Sequence, residues 1–360
     1  MHISSLSLTN FRNYEKEKIE FSPHTNVIYG DNAQGKTNIL EAVYIFSQGK
    51  SHRAKTDREL IRFDSDFARL SLAFHDSERD YKAILQIIKN GKKSIKINGV
   101  QITKLSKLMN YLNVVMFSPE DLDLVKGSPS ARRRFIDSAV SQLYPGYLTS
   151  LIDYHKALGQ KSSLLKTLKA KGVKSDTMLS VWNEQLAAEA EKIIKYRTEF
   201  VKLINEFSSK IQGEISKEKL KVSYAPGTKC DAWDKDTIYD YFEKNQRREI
   251  EFATAQVGIQ RDDLNISVND KEARQFASQG QQRTAALAMK IAQADYIEAS
   301  KQEYPVLLLD DIMSELDAHR RGYLAEKIRQ RQVLITSTDT DLKYSTDNTR
   351  LIHIQNGTVI

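Results

Sequence analysis

The sequence predicts an α/β protein in which a sheet domain is interrupted by a long, mainly helical insertion. Three observations predict it. Near the start, Asn26-Val27-Ile28-Tyr29 reads as a short buried strand ending at Gly30, and Ile39, Leu40, Val43 and Phe46 then recur with helical spacing. Near the end, the apolar runs 306–310 and 333–338 flank helical segments, as in a parallel sheet. Between them, 130–216 shows little but helical periodicity. The expected boundaries are 1–118 for the N-terminal part of the sheet domain, 119–250 for the insertion, and 251–360 for the C-terminal part.

In order along the chain, Ile3, Leu6 and Leu8 lie in an extended run, and 18–21 is a second candidate strand. The segments 67–74, 81–88 and 94–97 suggest an antiparallel meander, with Asn90-Gly91 as the hairpin turn before the last. Helical patterning in the middle breaks at Pro145-Gly146 and around Gly172. Trp182, Leu186, Ile193, Phe200, Ile204, Phe207 and Ile211 then recur at spacings of three, four and seven. That spacing predicts one long amphipathic helix of roughly 45 Å, packed against other helices.

Composition excludes several classes. Hydrophobic residues make up 40% and charged residues 28% of the 360, ordinary for a folded globular chain. No apolar run approaches the length of a membrane span, and no secretory leader pattern opens the sequence, so a cytoplasmic protein without membrane contact is expected. One cysteine, Cys230, allows no internal disulfide, and the seven histidines form no transition-metal cluster. A net charge of +7 is a mild preference for polyanions and proves nothing alone.

The chemistry is concentrated in three blocks. Gly30-Asp31-Asn32-Ala33-Gln34-Gly35-Lys36-Thr37 matches the phosphate-binding P-loop in full, between a strand and a helix. Its glycines let backbone N–H groups wrap phosphates, Lys36 neutralises the β- and γ-phosphates, and Thr37 ligates magnesium. Val306-Leu307-Leu308-Leu309-Asp310-Asp311 is the matching Walker B strand. Asp310 is the second magnesium ligand, and Asp311 is placed to orient or deprotonate the attacking water. The third block, Ser278-Gln279-Gly280-Gln281-Gln282-Arg283, precedes an alanine-rich helix over 284–299 and forms a second anion site. One chain rarely needs two phosphate cradles. Two copies head to head explain the duplication, with Ser278 of each copy capping the γ-phosphate bound to the other, and Gly280, Gln281 and Asp317 of the Ser314-Glu315-Leu316-Asp317 segment are further nucleotide-binding candidates. The plainer alternative makes Ser278 only a helix N-cap.

The motif set resembles an ABC/SMC-like P-loop ATPase head. More specifically, Asn10-Phe11-Arg12-Asn13-Tyr14, the P-loop extended to Asn38, Ser51-His52-Arg53, Phe117-Ser118-Pro119-Glu120-Asp121-Leu122, and Gly127-Ser128-Pro129-Ser130-Ala131-Arg132-Arg133-Arg134 are similar to blocks of the RecF family of bacterial recombination and repair proteins. So are the segments 278–283 and 307–317, and together the blocks run from residue 10 to 317. The resemblance implies ATP and Mg2+ as cofactors, an ATP-dependent homodimer, and binding to double-stranded DNA near single-strand gaps. It further implies a role in DNA replication, recombination, repair and the SOS response to DNA damage, with RecO and RecR assisting RecA loading. A weak, DNA-stimulated ATPase acting as a switch completes the expectation.

Three departures from the broader ABC pattern favour slow hydrolysis. Asp311 stands where a glutamate is usual, Thr336-Ser337-Thr338-Asp339 stands where a switch histidine is expected, and the usual Q-loop glutamine has no clear equivalent at 117–121. Arg12 and Arg53 follow structured elements on the P-loop side, where a guanidinium touches nucleotide phosphates or forms a structural ion pair. For DNA phosphates the candidates are Arg132, Lys156, Lys161 and Lys166, with Arg133, Arg134, Lys169, Lys171, Lys174, Arg247 and Arg248 nearby. Arg133 and Arg134 have the alternative of facing the ATPase domain. A kinase of a small acceptor explains Lys36, Thr37 and Asp310 but leaves 278–283 without work, and the insertion is too short for a tethering coiled-coil arm.

Overall fold

The structure, a computed structural model, describes residues 1–338 and 348–360, so Asp339 of the switch segment lies outside the described residues. The chain divides into two compact units, 1–121 with 290–360, and 122–289.

The first unit contains two six-stranded sheets. In the antiparallel one the strands lie in the order Tyr14–Glu20, His2–Phe11, Phe67–His75, Asp80–Ile88, Ser94–Ile97, Val100–Ile102. Alternation decides which face is inner. Leu6 pairs with Ile19 and Leu72, and Leu8 with Leu70, all buried, while Ser5, Ser7 and Thr9 take the opposite face. The second sheet runs Thr358–Val359, Arg350–Gln355, Thr25–Tyr29, Val333–Ser337, Val306–Leu309, Val114–Phe117 and is parallel apart from its first strand. Val306, Leu307, Leu308 and Leu309 are each 0% exposed, as a strand covered on both faces requires.

The helix Lys36–Gln48 lies in the core shared by the two sheets, with Ile39, Leu40, Ala42, Val43, Ile45 and Phe46 all buried. Each large side chain of that set contributes about 1.5–3 kcal/mol by leaving water. The helix ends because Gly49 takes a left-handed conformation, φ 69°, and donates its N–H to the Ile45 carbonyl.

The second unit holds the helices Pro129–Leu143, Pro145–Lys171, Thr177–Ser216 and Lys235–Phe252. Pro145 and Gly172 bound them as the sequence indicates, the glycine at φ 67°. Thr177–Ser216 is 40 residues long, about 60 Å, and runs past its apolar stripe at both ends, from the Asp176 carboxylate, which caps it by accepting the Met178 N–H at 2.7 Å, to Lys217 in a left-handed conformation. The unit also contains a three-stranded antiparallel sheet, Lys271–Glu272, Asp263–Val268, Leu220–Ala225. This sheet moves a boundary. Residues 251–289, assigned from sequence to the sheet domain, cluster with the second unit because Asp263–Val268 pairs along its whole length with Leu220–Ala225.

Candidate nucleotide-binding site

Gly30 leaves the strand Thr25–Tyr29 at φ 145°, and a Cβ there would lie 2.2 Å from the Ile354 carbonyl oxygen. Only glycine fits that approach. Asp31, Asn32 and Ala33 are exposed, while Gly35 and Lys36 are buried at the start of the helix. The far side of the loop is held from outside it. Asn13 Nδ2 donates to the Gln34 carbonyl at 2.8 Å, and the Tyr14 hydroxyl donates to the Gly35 carbonyl at 3.0 Å. The turn Asn356-Gly357 adds two more bonds, Asn356 N–H to Gln34 Oε1 at 2.5 Å and Gly357 N–H to the Gln34 carbonyl at 3.2 Å. Sequence reading missed this C-terminal clamp. Its only signal was an Asn-Gly pair of the kind that favours tight turns.

Lys36 Nζ donates to the carbonyls of Gly30 at 2.6 Å and Asp31 at 2.9 Å, so its charge sits within the curve of the loop. Burial lowers its pKa from the usual lysine value, against the pull of Asp311, Asp31 and Asp310. Thr37 Oγ1 donates to Asp310 Oδ1 at 2.8 Å. A hydroxyl and a carboxylate oxygen at the N-terminus of a helix form the hard oxygen pair that magnesium prefers, alongside phosphate oxygens and water. Burial, and then the neighbouring Asp310, raise the Asp311 carboxyl above the ordinary aspartate value, with Lys36 opposing. Asp311 itself stands in a left-handed conformation, φ 49° and ψ 11°, and starts the short helix Ile312–Glu315.

Thr336 was quoted from sequence only as part of the segment replacing a switch histidine. It is 1% exposed, and its Oγ1 donates to Asp310 Oδ1 at 2.8 Å and accepts the Asp311 N–H at 2.9 Å.

The two flanking arginines differ. Arg12 uses all its nitrogens on the protein, Nε and Nη2 on the Glu41 carboxylate at 2.8 and 2.7 Å and Nη1 on the Glu59 carbonyl at 2.9 Å. Against the cost of burial, hydrogen bonds from Arg12 and Ser51 hold Glu41 below the usual carboxylate range. Of the two roles open to Arg12, the structure displays the ion pair, on the P-loop helix, with the side chain 21% exposed. Arg53 is exposed and donates to Asn38 Oδ1 at 3.3 Å, which keeps it beside the P-loop. Asp317 keeps a half-exposed side chain. It is the N-cap of the helix Ala318–Ile328, accepting the Arg320 N–H at 2.9 Å and pairing with the Arg320 guanidinium.

In the second unit, Ser278 and Gln281 form a reciprocal cap on the helix Gln279–Lys301. Ser278 Oγ accepts the Gln281 N–H at 3.3 Å, and Gln281 Oε1 accepts the Ser278 N–H at 2.8 Å. Gln281 Nε2 also donates to Glu218 at 2.5 Å. Ser278 is exposed and Gly280 half-buried.

Of the four candidate DNA contacts, two are removed by burial. Lys161 is 1% exposed and pairs with Glu249 at 2.6 Å. Arg132 is 4% exposed, with Nε and Nη2 on the Asp263 carboxylate at 2.5 and 2.9 Å and Nη1 on the Gly127 carbonyl at 3.0 Å. A cation enclosed with its counter-ion cannot also face a phosphate. Arg133 is likewise turned inward, donating to the Asp262 carbonyl at 2.8 Å. Lys156 is exposed and pairs with Asp153 at 2.8 Å, one helical turn away, while Lys166 is exposed. Among the described residues, no helix is long and apolar enough to cross a membrane.

Comparison with known proteins agrees with this geometry. Residues 2–359 match the family model of the RecF/RecN/SMC N-terminal domain. The DNA replication and repair protein RecF of Bacillus cereus (strain AH820) is 42% identical over 369 residues, covering 100% of this chain and 98% of that protein. The RecF of Bacillus thuringiensis (strain Al Hakam) is also 42% identical over the same span. A solved structure of the recombination mediator RecF with ATP, from the RecFOR pathway, superposes with a TM-score of 0.93 at 33% identity, covering 100% of this chain and 97% of that one. A second RecF structure, with ATPγS, gives 0.91 at 34% identity, covering 99% and 97%. An SMC head domain from Pyrococcus furiosus shares the fold, with a TM-score of 0.55 at 20% identity, over 99% of this chain and 95% of that one. The chain belongs to the RecF family of DNA replication and repair proteins, with the ATPase head fold common to RecF and SMC.

Proposed function

We propose that this protein is an ATP-gated clamp for double-stranded DNA. Two copies close when each bound ATP–magnesium is capped by the Ser278 segment of the other. The observation that carries the reading is that the chain holds both a P-loop from Gly30 to Thr37, with Lys36 curled within it and Thr37 bonded to Asp310, and a separate capped helix start at Ser278. In this reading the clamp recognises duplex next to single-strand gaps and helps RecO and RecR load RecA. Phosphate contacts from exposed cations such as Lys156 and Lys166 give sequence-independent, salt-sensitive binding. Asp311 orients or deprotonates the attacking water. Its short side chain favours turnover below about 1 s⁻¹, at the slow end for enzymes, so hydrolysis acts as a switch.

Sedimentation with and without ATP–magnesium tests the clamp, using Asp311→Asn to slow hydrolysis. A dimer formed only with nucleotide, and abolished by Ser278→Arg, supports it. A protein that stays monomeric at saturating ATP and in the presence of gapped DNA refutes it.

A further inference from the structure

Thr336 sits on Val333–Ser337, the strand between the one that leads into the P-loop and the one that carries Asp310. Val333, Leu334 and Ile335 before it are buried and apolar, as an interior parallel strand demands. A fourth apolar residue would suit the same wall, yet the chain places a buried hydroxyl there. A buried hydroxyl needs partners, and among the described residues this one has two within 3 Å. It donates to Asp310 Oδ1 at 2.8 Å in preference to the Leu309 carbonyl at 3.4 Å, and it accepts the Asp311 N–H at 2.9 Å. One side chain therefore grips both acids that follow the Walker B strand, the first by its carboxylate and the second by its backbone.

Both grips have consequences. Asp310 Oδ1 also accepts the Thr37 hydroxyl at 2.8 Å. Thr37 and Asp310 are the residues that would hold magnesium; were Thr37 engaged by it, Thr336 would, among the described residues, still donate to that oxygen and hold the carboxylate in its orientation. The Asp311 backbone is left-handed, at φ 49°, a conformation that non-glycine residues hold only when their surroundings impose it. The bond to its N–H supplies that restraint, and the turn it fixes determines where the Asp311 carboxylate points.

We propose that Thr336 is a positioning residue of the ATPase site, which sets the Asp310 carboxylate for magnesium and the Asp311 turn for the attacking water. The proposal rests on the reading of this site as an ATP–magnesium site and adds the residue that aligns its acids. The hydroxyl is engaged with Asp310 Oδ1 and the Asp311 N–H, so its effect is felt through the two aspartates.

The test compares Thr336→Val, which keeps the shape and removes the hydroxyl, with Thr336→Ser, which keeps the hydroxyl and removes the methyl. Binding of ATPγS is measured by calorimetry in EDTA and in magnesium, with turnover measured in parallel. Hydrogen bonds to charged groups are strong enough for their loss to read as about tenfold or more. The valine variant is expected to match wild-type affinity in EDTA, lose about tenfold or more of the gain that magnesium gives, and lose turnover by a similar factor. The serine variant is expected to recover both. Two results overturn the proposal: a valine variant with wild-type magnesium dependence and turnover, or a serine variant as defective as valine, which assigns Thr336 to packing alone. If valine does not fold, Thr336→Ala against Thr336→Ser makes the same contrast. Wild-type protein that binds ATPγS no better with magnesium than with EDTA refutes the ATP–magnesium reading instead, and is seen before any variant is compared.

Discussion

Replacing Lys161 by methionine separates a buried structural cation from one that faces DNA. The ammonium lies 2.6 Å from Glu249 Oε2, with side chains 1% and 0% exposed, and it also lies over the Phe242 ring at 5.3 Å. Burial lowers the lysine's pKa, and Glu249 opposes the shift, so the pair persists because each charge answers the other. Methionine fills nearly the same volume but leaves the Glu249 carboxylate enclosed, with the Gln256 N–H at 2.8 Å as its remaining donor among the described residues. Breaking a buried pair from one side costs about 3–5 kcal/mol. For a unit of this size that corresponds to a fall in melting temperature of roughly 6–20 °C. Lys161→Met combined with Glu249→Gln removes both charges, keeps an acceptor for Gln256, and is expected to restore about half of the loss or more. Thermal melts by circular dichroism read the stability, and fluorescence anisotropy on duplex DNA, below all the transitions, reads the binding. The single variant is expected to melt early and bind DNA as wild type does. A Lys161→Met protein that melts normally and binds DNA more weakly would falsify the buried-pair account and return Lys161 to the DNA surface.

Three further outcomes follow from the site. Gly30→Ala places a Cβ 2.2 Å from a backbone carbonyl at φ 145°, so nucleotide binding measured by calorimetry is expected to be lost; retained affinity would show that the Ile354 contact yields. Asp311→Asn is expected to raise the melting temperature at pH 7, because a carboxyl whose folded pKa is raised is destabilising once ionised. The gain should shrink as pH falls through that folded value and vanish below the unfolded one; a gain that grows with acidity contradicts the sign. Arg12→Lys forfeits the two-point grip on Glu41 and is expected to cost about 1–3 kcal/mol with ATP affinity nearly unchanged, whereas a selective loss of ATP binding would put Arg12 back on the phosphates.

The candidate phosphate-binding motifs were legible because their chemistry is local. Eight consecutive positions make the P-loop, and four apolar residues followed by two acids make the Walker B strand. Helix ends at Pro145 and Gly172 were legible for the same reason. Partners distant along the chain were not. Arg132 finds Asp263 at a separation of 131 residues, and nothing in a basic tripeptide announces an inward turn. Lys161 carried a signal that could have been used. With Tyr154, Ala157, Leu165 and Leu168 buried on the same helix, its position falls on the inner stripe rather than the outer face. The boundary at 250 failed because a strand's partner cannot be read from its own residues. Asp263–Val268 belongs with Leu220–Ala225 by register, not by sequence proximity.

The parallel sheet also constrains the timing of biosynthesis. Thr25–Tyr29 is flanked by Val333–Ser337 and Arg350–Gln355, with Asn26 opposite Leu334 on one side and Arg350 on the other. The strand that carries the P-loop thus leaves the ribosome roughly 300 residues before either neighbour, a wait of about 15–60 s at common elongation rates. Throughout that interval Val27 and Ile28, buried in the finished protein, have no sheet to join, whereas residues 122–289 emerge as a block able to collapse among themselves. A nascent chain stalled before residue 333 therefore presents an unpaired apolar strand, and a chaperone's claim on this protein should be strongest there and end when Val333–Ser337 and Arg350–Gln355 emerge.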